Sequence, residues 1–171
     1  IHRQMASHLP MPIGFKNSID GNIETALHAI EVAQMPHTFI GMSDHGRLSI
    51  VRSFGNPLSH LVLRGSESGP NYSNEKVQET VKRLEEKKLS PRLIIDCSHD
   101  NSRKKHFNQI TVYNNVIDQM QSNSYIKGLM LESFIVSGQQ RLSPFKSLVY
   151  GQSITDSCLD FATTESLILS G

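Results

Sequence analysis

Leu93-Ile94-Ile95-Asp96-Cys97-Ser98-His99 passes without alternation from three apolar residues into an acid, a thiol, a hydroxyl and an imidazole. A short apolar run of this kind reads as a strand buried on both faces, as in a parallel sheet covered by helices. The pattern recurs on either side. Upstream, Met11-Pro12-Ile13-Gly14-Phe15 ends in Lys16-Asn17, and Leu61-Val62-Leu63 ends in Arg64-Gly65. Downstream, the run from Ile126 to Leu131 ends in Glu132-Ser133. Helical patterns lie between these runs. Gly21 to Ala33 carries Ile23, Ala26, Leu27 and Ile30 at spacings of three and four. Asn74 to Leu89 puts Val77, Val81 and Leu84 on one face and opens at Ser73-Asn74, an N-cap signal. Phe107 to Gln121 carries Ile110, Val112, Val116, Ile117 and Met120, and a last helix is expected over Thr155 to Leu169.

Two further runs, Thr38 to Met42 and Leu48 to Val51, are joined by the turn signal Ser43-Asp44-His45-Gly46-Arg47. They read as a small antiparallel hairpin inserted in the series. The main order is strand, helix, strand, helix, which implies right-handed βαβ units. No Gly-rich loop follows the first strand, so a dinucleotide-binding fold is disfavoured. A complete (β/α)8 barrel takes about 200 residues or more, and this chain has 171. The expected fold class is therefore α/β, with four main strands making half of a (β/α)8 TIM barrel.

Composition sets the remaining limits. The chain is 37% hydrophobic and 19% charged, which excludes long disorder, collagen and coiled coil. A net charge of +1 gives no reason to expect nucleic acid or a membrane surface as partner. The basic clusters at Lys82 to Lys88 and Arg103 to Lys105 read as solvated helix faces. Two distant cysteines, Cys97 and Cys158, make no disulfide framework and fit a reducing, cytoplasmic setting. No apolar run nears the ~18 residues of a membrane span. The opening Ile1-His2-Arg3-Gln4-Met5 does not resemble a signal peptide and starts as if in mid-protein.

In a (β/α) barrel, function collects at the C-terminal ends of the strands. Those ends offer Lys16, Arg64, His99 and Glu132, and the loop after the last strand offers Asp156. Two cations suit a phosphate and a carboxylate. A His, a Glu and an Asp suit a divalent metal. Taken singly, each has an ordinary reading: exposed strand end, structural ion pair, or helix cap for Asp156. Their recurrence at one topological place favours a shared site for an anionic ligand beside a Lewis acid.

The segments Gly14-Phe15-Lys16-Asn17 with Asp20-Gly21, Leu63-Arg64-Gly65 with Pro70-Asn71-Tyr72, Asp96-Cys97-Ser98-His99 with Asn101-Ser102, Leu131-Glu132-Ser133, and Tyr150-Gly151-Gln152-Ser153-Ile154-Thr155-Asp156 with Cys158 occur in order along the chain. Together they resemble the type I (class Iα) 3-deoxy-D-arabino-heptulosonate 7-phosphate (DAHP) synthases, over essentially the whole sequence. The resemblance implies the C-terminal half of a barrel about twice this long, with residues 1–171 one partial domain and the N-terminal half absent. It implies Lys16 and Arg64 on phosphoenolpyruvate, and His99, Glu132 and Asp156 on a divalent metal (Mn, Fe, Co or Zn). Asp156 then also lies near erythrose 4-phosphate, and Lys16 is a candidate proton donor. The family's fourth ligand, a cysteine, and its Lys-Pro-Arg-Thr loop belong to the other half. Cys97 is not put in that ligand's place. By strand alternation it shares a face with His99 one layer deeper, as a core residue.

The reaction so implied is an aldol-like condensation. The metal polarises the aldehyde, C3 of phosphoenolpyruvate attacks it, water adds at C2 and phosphate leaves. The isolated chain is expected to be inactive, and the full-length enzyme to be a homo-oligomer. Three departures bear on the rest. His8-Leu9-Pro10-Met11-Pro12 replaces the family's Gly-Leu-Ser-x-Pro, so Pro10 is expected to disturb amino-acid feedback. Gly41 stands where tyrosine-sensing members carry Gly and phenylalanine-sensing ones Ser, which favours tyrosine as effector. Ser66-Glu67-Ser68-Gly69 is longer than the usual Gly-Gly-Lys after the arginine. The competing reading is a non-catalytic half-barrel that binds a metal or an anion, or serves as an interaction module.

Overall fold

Four of the apolar runs lie side by side in one parallel sheet. The computed structural model describes residues 2–143 and 147–170. In chain order the elements are α1 (His2–His8), β1 (Gly14–Lys16), α2 (Glu24–Gln34), β2 (Thr38–Met42), β3 (Leu48–Arg52), β4 (His60–Leu63), α3 (Asn74–Glu86), β5 (Leu93–Asp96), α4 (Asn108–Ser122), β6 (Ile126–Met130), β7 (Ser133–Phe134), β8 (Val136–Gln139), β9 (Gln152–Ser153), β10 (Leu159–Asp160) and α5 (Phe161–Ser170). The sheet order is β1-β4-β5-β6, every pair parallel, with Phe15 opposite Leu61 and Leu61 opposite Leu93. The fold is thus mixed α/β around a parallel sheet.

The sheet is held by what its two faces meet. Leu61, Leu63, Leu93, Ile95 and Cys97 are fully buried against Leu27 and Ile30 of α2, Val77, Val81 and Leu84 of α3, and Val112 and Val116 of α4. Burying each such side chain contributes roughly 1.5–3 kcal/mol. Strand alternation sends Lys16, Val62, Ile94 and Asp96 to the opposite face. Helix α3 begins at the expected cap, with Lys76 N–H donating to Ser73 Oγ at 3.4 Å. The runs Thr38–Met42 and Leu48–Arg52 pair antiparallel, closed by a turn at Gly46 with φ +70°.

Several expectations are corrected. The last helix begins at Phe161 rather than Thr155. Its start is set by Asp160, whose Oδ1 accepts the Thr163 N–H at 2.8 Å, so the cap is four residues further on and Asp156 is left free of it. The main sheet has the four strands expected, and β10 pairs in parallel with β7, which follows β6 across Leu131 and Glu132, as a separate two-stranded sheet. Asp156 accordingly sits before a strand, between β9 and β10. Helix α1 and the strands β7 to β10 are absent from the sequence reading. The strands are two to four residues long, too short to show a period.

Candidate active site

Because the main strands are parallel, their C-terminal ends share one edge of the sheet. Lys16 closes β1, Arg64 follows β4, His99 lies three residues past β5, and Glu132 occupies the step from β6 to β7. The residue that links them is one the sequence reading did not select. Asp96 closes β5 and is 1% exposed, on the face that alternation gives to Lys16. Its Oδ2 lies 2.7 Å from Lys16 Nζ and 2.8 Å from His99 Nδ1. Its Oδ1 accepts from the Ser98 N–H at 2.9 Å and from the Ser98 hydroxyl at 2.6 Å. Burial alone pushes the Asp96 carboxyl up, but the hydrogen bonds from Lys16 and Ser98 and the nearby His99 outweigh it and hold the group below the usual carboxylate range.

This network fixes the histidine. Ser98 spends its proton on Asp96, so its oxygen, 2.7 Å from His99 Nδ1, is an acceptor there. The tautomer assigned by the network carries the proton on Nδ1 and leaves the Nε2 lone pair free. Nε2 is 3.4 Å from Glu132 Oε1 and 3.7 Å from Asp156 Oδ2. One ligand atom from each of His99, Glu132 and Asp156 lies within 4.8 Å of the others. Burial pushes the Glu132 carboxyl up and Asp156 adds to the rise, while His99 partly offsets it. Three acceptors turned on one point are the donor set of a hard or borderline divalent cation.

His99 reaches that point because β5 has ended. Its φ is +49°, in the left-handed region, so the chain turns and alternation no longer applies. Cys97 therefore does not share a face with His99. Its thiol is fully buried on the helix-covered side, and burial pushes it up to about 12. A core role is what the residue has.

Arg64 is placed differently. Its NH1 lies 3.0 Å from Asp100 Oδ2, with both side chains largely buried. The pair is not aligned as a hydrogen bond, so NH1 and Oδ2 are buried without one. The Asp100 carboxylate is the counter-charge that the buried guanidinium meets. Among the described residues no hydrogen bond or ion pair joins Arg64 to Lys16, His99, Glu132 or Asp156; Asp100, next to His99, is the link.

The loops at this edge are tied by buried amides. Asn17 Oδ1 accepts the Arg64 N–H at 2.9 Å while its Nδ2 donates to Gly65 O at 2.9 Å. Asn71 Oδ1 accepts the Gly65 N–H at 2.8 Å, and Asn101 Oδ1 accepts the Asn71 N–H at 2.8 Å. Asn101 Nδ2 then donates to Asp96 O at 2.8 Å. The asparagines that recur in the sequence motifs thus hold three strand ends in one frame. Gly65, at φ +77°, leaves the space: a Cβ there would lie 2.4 Å from Asn101 N. His106 makes one more tie, 2.7 Å from Ser157 Oγ beside Asp156.

Residues 1–168 match the DAHP synthetase I family. The chain belongs to that family. A DAHP synthetase I relative, phospho-2-dehydro-3-deoxyheptonate aldolase of Corynebacterium glutamicum, is 47% identical over 98% of this chain and 47% of its own length. The Tyr-sensitive phospho-2-dehydro-3-deoxyheptonate aldolase of Escherichia coli K12 is 41% identical over 98% of this chain and 47% of its own. A solved structure of phospho-2-dehydro-3-deoxyheptonate aldolase from Francisella tularensis superposes with a TM-score of 0.91 at 39% identity, over 98% of this chain and 49% of that one. The chain spans about half the length of these DAHP synthetase I relatives. No described helix is long and apolar enough to cross a membrane.

Proposed function

We propose that residues 1–171 form the C-terminal half of a (β/α)8 barrel, one partial domain with the β2–β3 hairpin as an insertion. The whole enzyme is then a DAHP synthase, 3-deoxy-7-phosphoheptulonate synthase. It condenses phosphoenolpyruvate with D-erythrose 4-phosphate and water to give DAHP and phosphate, the first step towards the aromatic amino acids. The observation that carries this reading is the convergence of His99, Glu132 and Asp156 within 4.8 Å, one carboxylate oxygen away from Lys16.

In this reading His99 Nε2, Glu132 and Asp156 hold the divalent cation. When bound, the cation supplies Lewis-acid polarisation of the erythrose 4-phosphate aldehyde. Lys16 has three N–H donors, of which Asp96 takes one, and it is partly exposed. The other two are free for the anionic groups of phosphoenolpyruvate. Arg64, paired with Asp100 at 3.0 Å, is assigned to the same substrate by the family resemblance. Holding C3 of phosphoenolpyruvate against the aldehyde is the contribution that positioning makes to the rate. The new bond joins those two carbons, the aldehyde oxygen takes a proton for which Lys16 is the candidate donor, water adds at C2, and phosphate departs.

Regulation and assembly belong to the same proposal. An aromatic amino acid, tyrosine by the Gly41 criterion, is the effector. The space beside Gly41 is filled by Val51, whose Cγ2 would lie 2.8 Å from a Cβ there. The full-length enzyme is a homo-oligomer. The ribbon's cross-strand pair Ile40 and Ile50, 74% and 73% exposed, is apolar surface that assembly would cover.

The test is His99→Ala in the full-length protein, with bound manganese and the rate of product formation both measured. Loss of both is expected. Retention of metal and rate removes His99 from the site and the reading with it.

A further inference from the structure

Glu132 stands where the sheet changes partners. β6 pairs with β5 and stops at Met130, and β7 pairs with β10 and starts at Ser133. Across that step the β7–β10 ladder reaches the Glu132 carbonyl through Leu159 but leaves the Glu132 N–H to Gln109, in the first turn of α4. The Glu132 N–H donates to Gln109 Oε1 at 2.9 Å, and Gln109 Nε2 donates to Glu132 O at 3.2 Å. Leu159 N–H, from the segment that follows Asp156, donates to the same carbonyl at 2.9 Å.

Gln109 is fully buried, with Val112 and Tyr113 of the same helix among its buried neighbours in sequence. Burying an amide costs a few kcal/mol unless its hydrogen bonds are remade. A leucine there would avoid that cost. The amide instead spends its donor and its acceptor on one residue, as a neighbouring strand would. The helix that carries it grows from the His99 loop, with the Gln109 N–H donating to His106 O at 3.0 Å. Leu131 packs into the core, so Glu132 turns to the face of Asp96 and His99. Its carboxylate reaches His99 from a backbone fixed on one side by Gln109 and on the other by Leu159.

We propose that Gln109 is a positioning residue for the cation site, a surrogate strand that locks the Glu132 peptide so that its carboxylate meets His99 and Asp156. This rests on the reading that those three residues hold a divalent cation. A ligand whose backbone can drift binds its ion less tightly, and loss of such a support costs about 10–100-fold in metal affinity.

The experiment titrates Mn²⁺ into the metal-free full-length protein by calorimetry, for the parent, Gln109→Met and Gln109→Glu. Methionine keeps the volume and removes both hydrogen bonds. Glutamate keeps the acceptor for the Glu132 N–H. Gln109→Met is expected to bind Mn²⁺ at least about tenfold more weakly, and Gln109→Glu to lose less. The thermal midpoint is read with and without Mn²⁺. A mere staple lowers both midpoints alike, whereas a positioning role also shrinks the gain from the metal. Parent-like Mn²⁺ affinity in Gln109→Met overturns the proposal. If Gln109→Met does not fold, parent-like affinity in Gln109→Glu overturns it. His99→Ala in the same titration separates the two levels: full affinity there defeats the cation site itself, while its loss beside an unaffected Gln109→Met defeats only the role of Gln109.

Discussion

Asp96→Asn replaces one oxygen of the buried carboxylate by an NH2 and changes little else in volume. The remaining oxygen can serve only one side. If it stays with Ser98, the new NH2 faces the Lys16 ammonium and the His99 Nδ1–H, which lie 2.7 and 2.8 Å from the original Oδ2. The amide and the ammonium then meet donor to donor, and the His99 Nδ1–H keeps only the Ser98 oxygen. If the amide turns over, the Ser98 N–H and hydroxyl lose theirs instead. A hydrogen bond to a charged group is worth about 1.5–3 kcal/mol. The Lys16 share must be discounted for solvent, since that side chain is 37% exposed. His99 Nδ1 lies 2.8 Å from the same oxygen, with its hydrogen bond made to Ser98 Oγ. Without the carboxylate, the proton on Nδ1 loses its support, and the tautomer that leaves Nε2 free becomes less favoured. About 1.4–2.8 kcal/mol of cation binding is expected to go, a ten- to hundredfold rise in the Mn²⁺ dissociation constant. Calorimetric titration of the metal-free full-length variant reads it. Asp96→Asn with the parent's Mn²⁺ affinity would refute the claim that this carboxylate sets the histidine.

Cys97 should resist iodoacetamide at pH 8 in the folded protein, because its thiol is fully buried and pushed up to about 12. Mass spectrometry that finds it alkylated at the rate of an exposed thiol contradicts the core placement. Gly65→Ala should lower the thermal midpoint and weaken phosphoenolpyruvate binding together. The left-handed φ costs a non-glycine residue about 1–2 kcal/mol, and the added Cβ meets Asn101 N at 2.4 Å, so the frame around Arg64 must shift. A variant that melts and binds like the parent counts against that frame. A polypeptide of residues 1–171 alone, freed of host enzyme, should form no DAHP; measurable turnover in a coupled phosphate-release assay would reverse that expectation.

The legible parts of this protein are those in which neighbours in sequence are also neighbours in space. Leu93-Ile94-Ile95 declares a buried strand because apolar side chains on both faces need cover on both, and the helix from Asn74 declares itself through Val77, Val81 and Leu84. The hairpin turn at Gly46 is local in the same way. Where local signals competed, the reading slipped. Thr155-Asp156 and Asp160 both look like helix caps, and the choice fell to Asp160 because Leu159 is drawn into a strand beside Ser133. Alternation placed Cys97 with His99, and the turn at His99 separated them. Lys16, Arg64, His99, Glu132 and Asp156 stood out because each is a charged or ligating residue at an apolar run's end or in the loop beyond it.

By itself, the sequence determined the longer strands and the helices between them, that the main strands run parallel, and which side chains stand near their ends. These follow from periodicity and from burial, which act over a few residues at a time. Only the tertiary structure decided what those side chains do to one another. Asp96 meets a lysine 80 residues away, and Gln109 completes a strand break 23 residues on. A carboxylate and an amide carry no mark in sequence of the partners that folding will bring within 3 Å. Their roles come into being when the sheet edge closes and water leaves it.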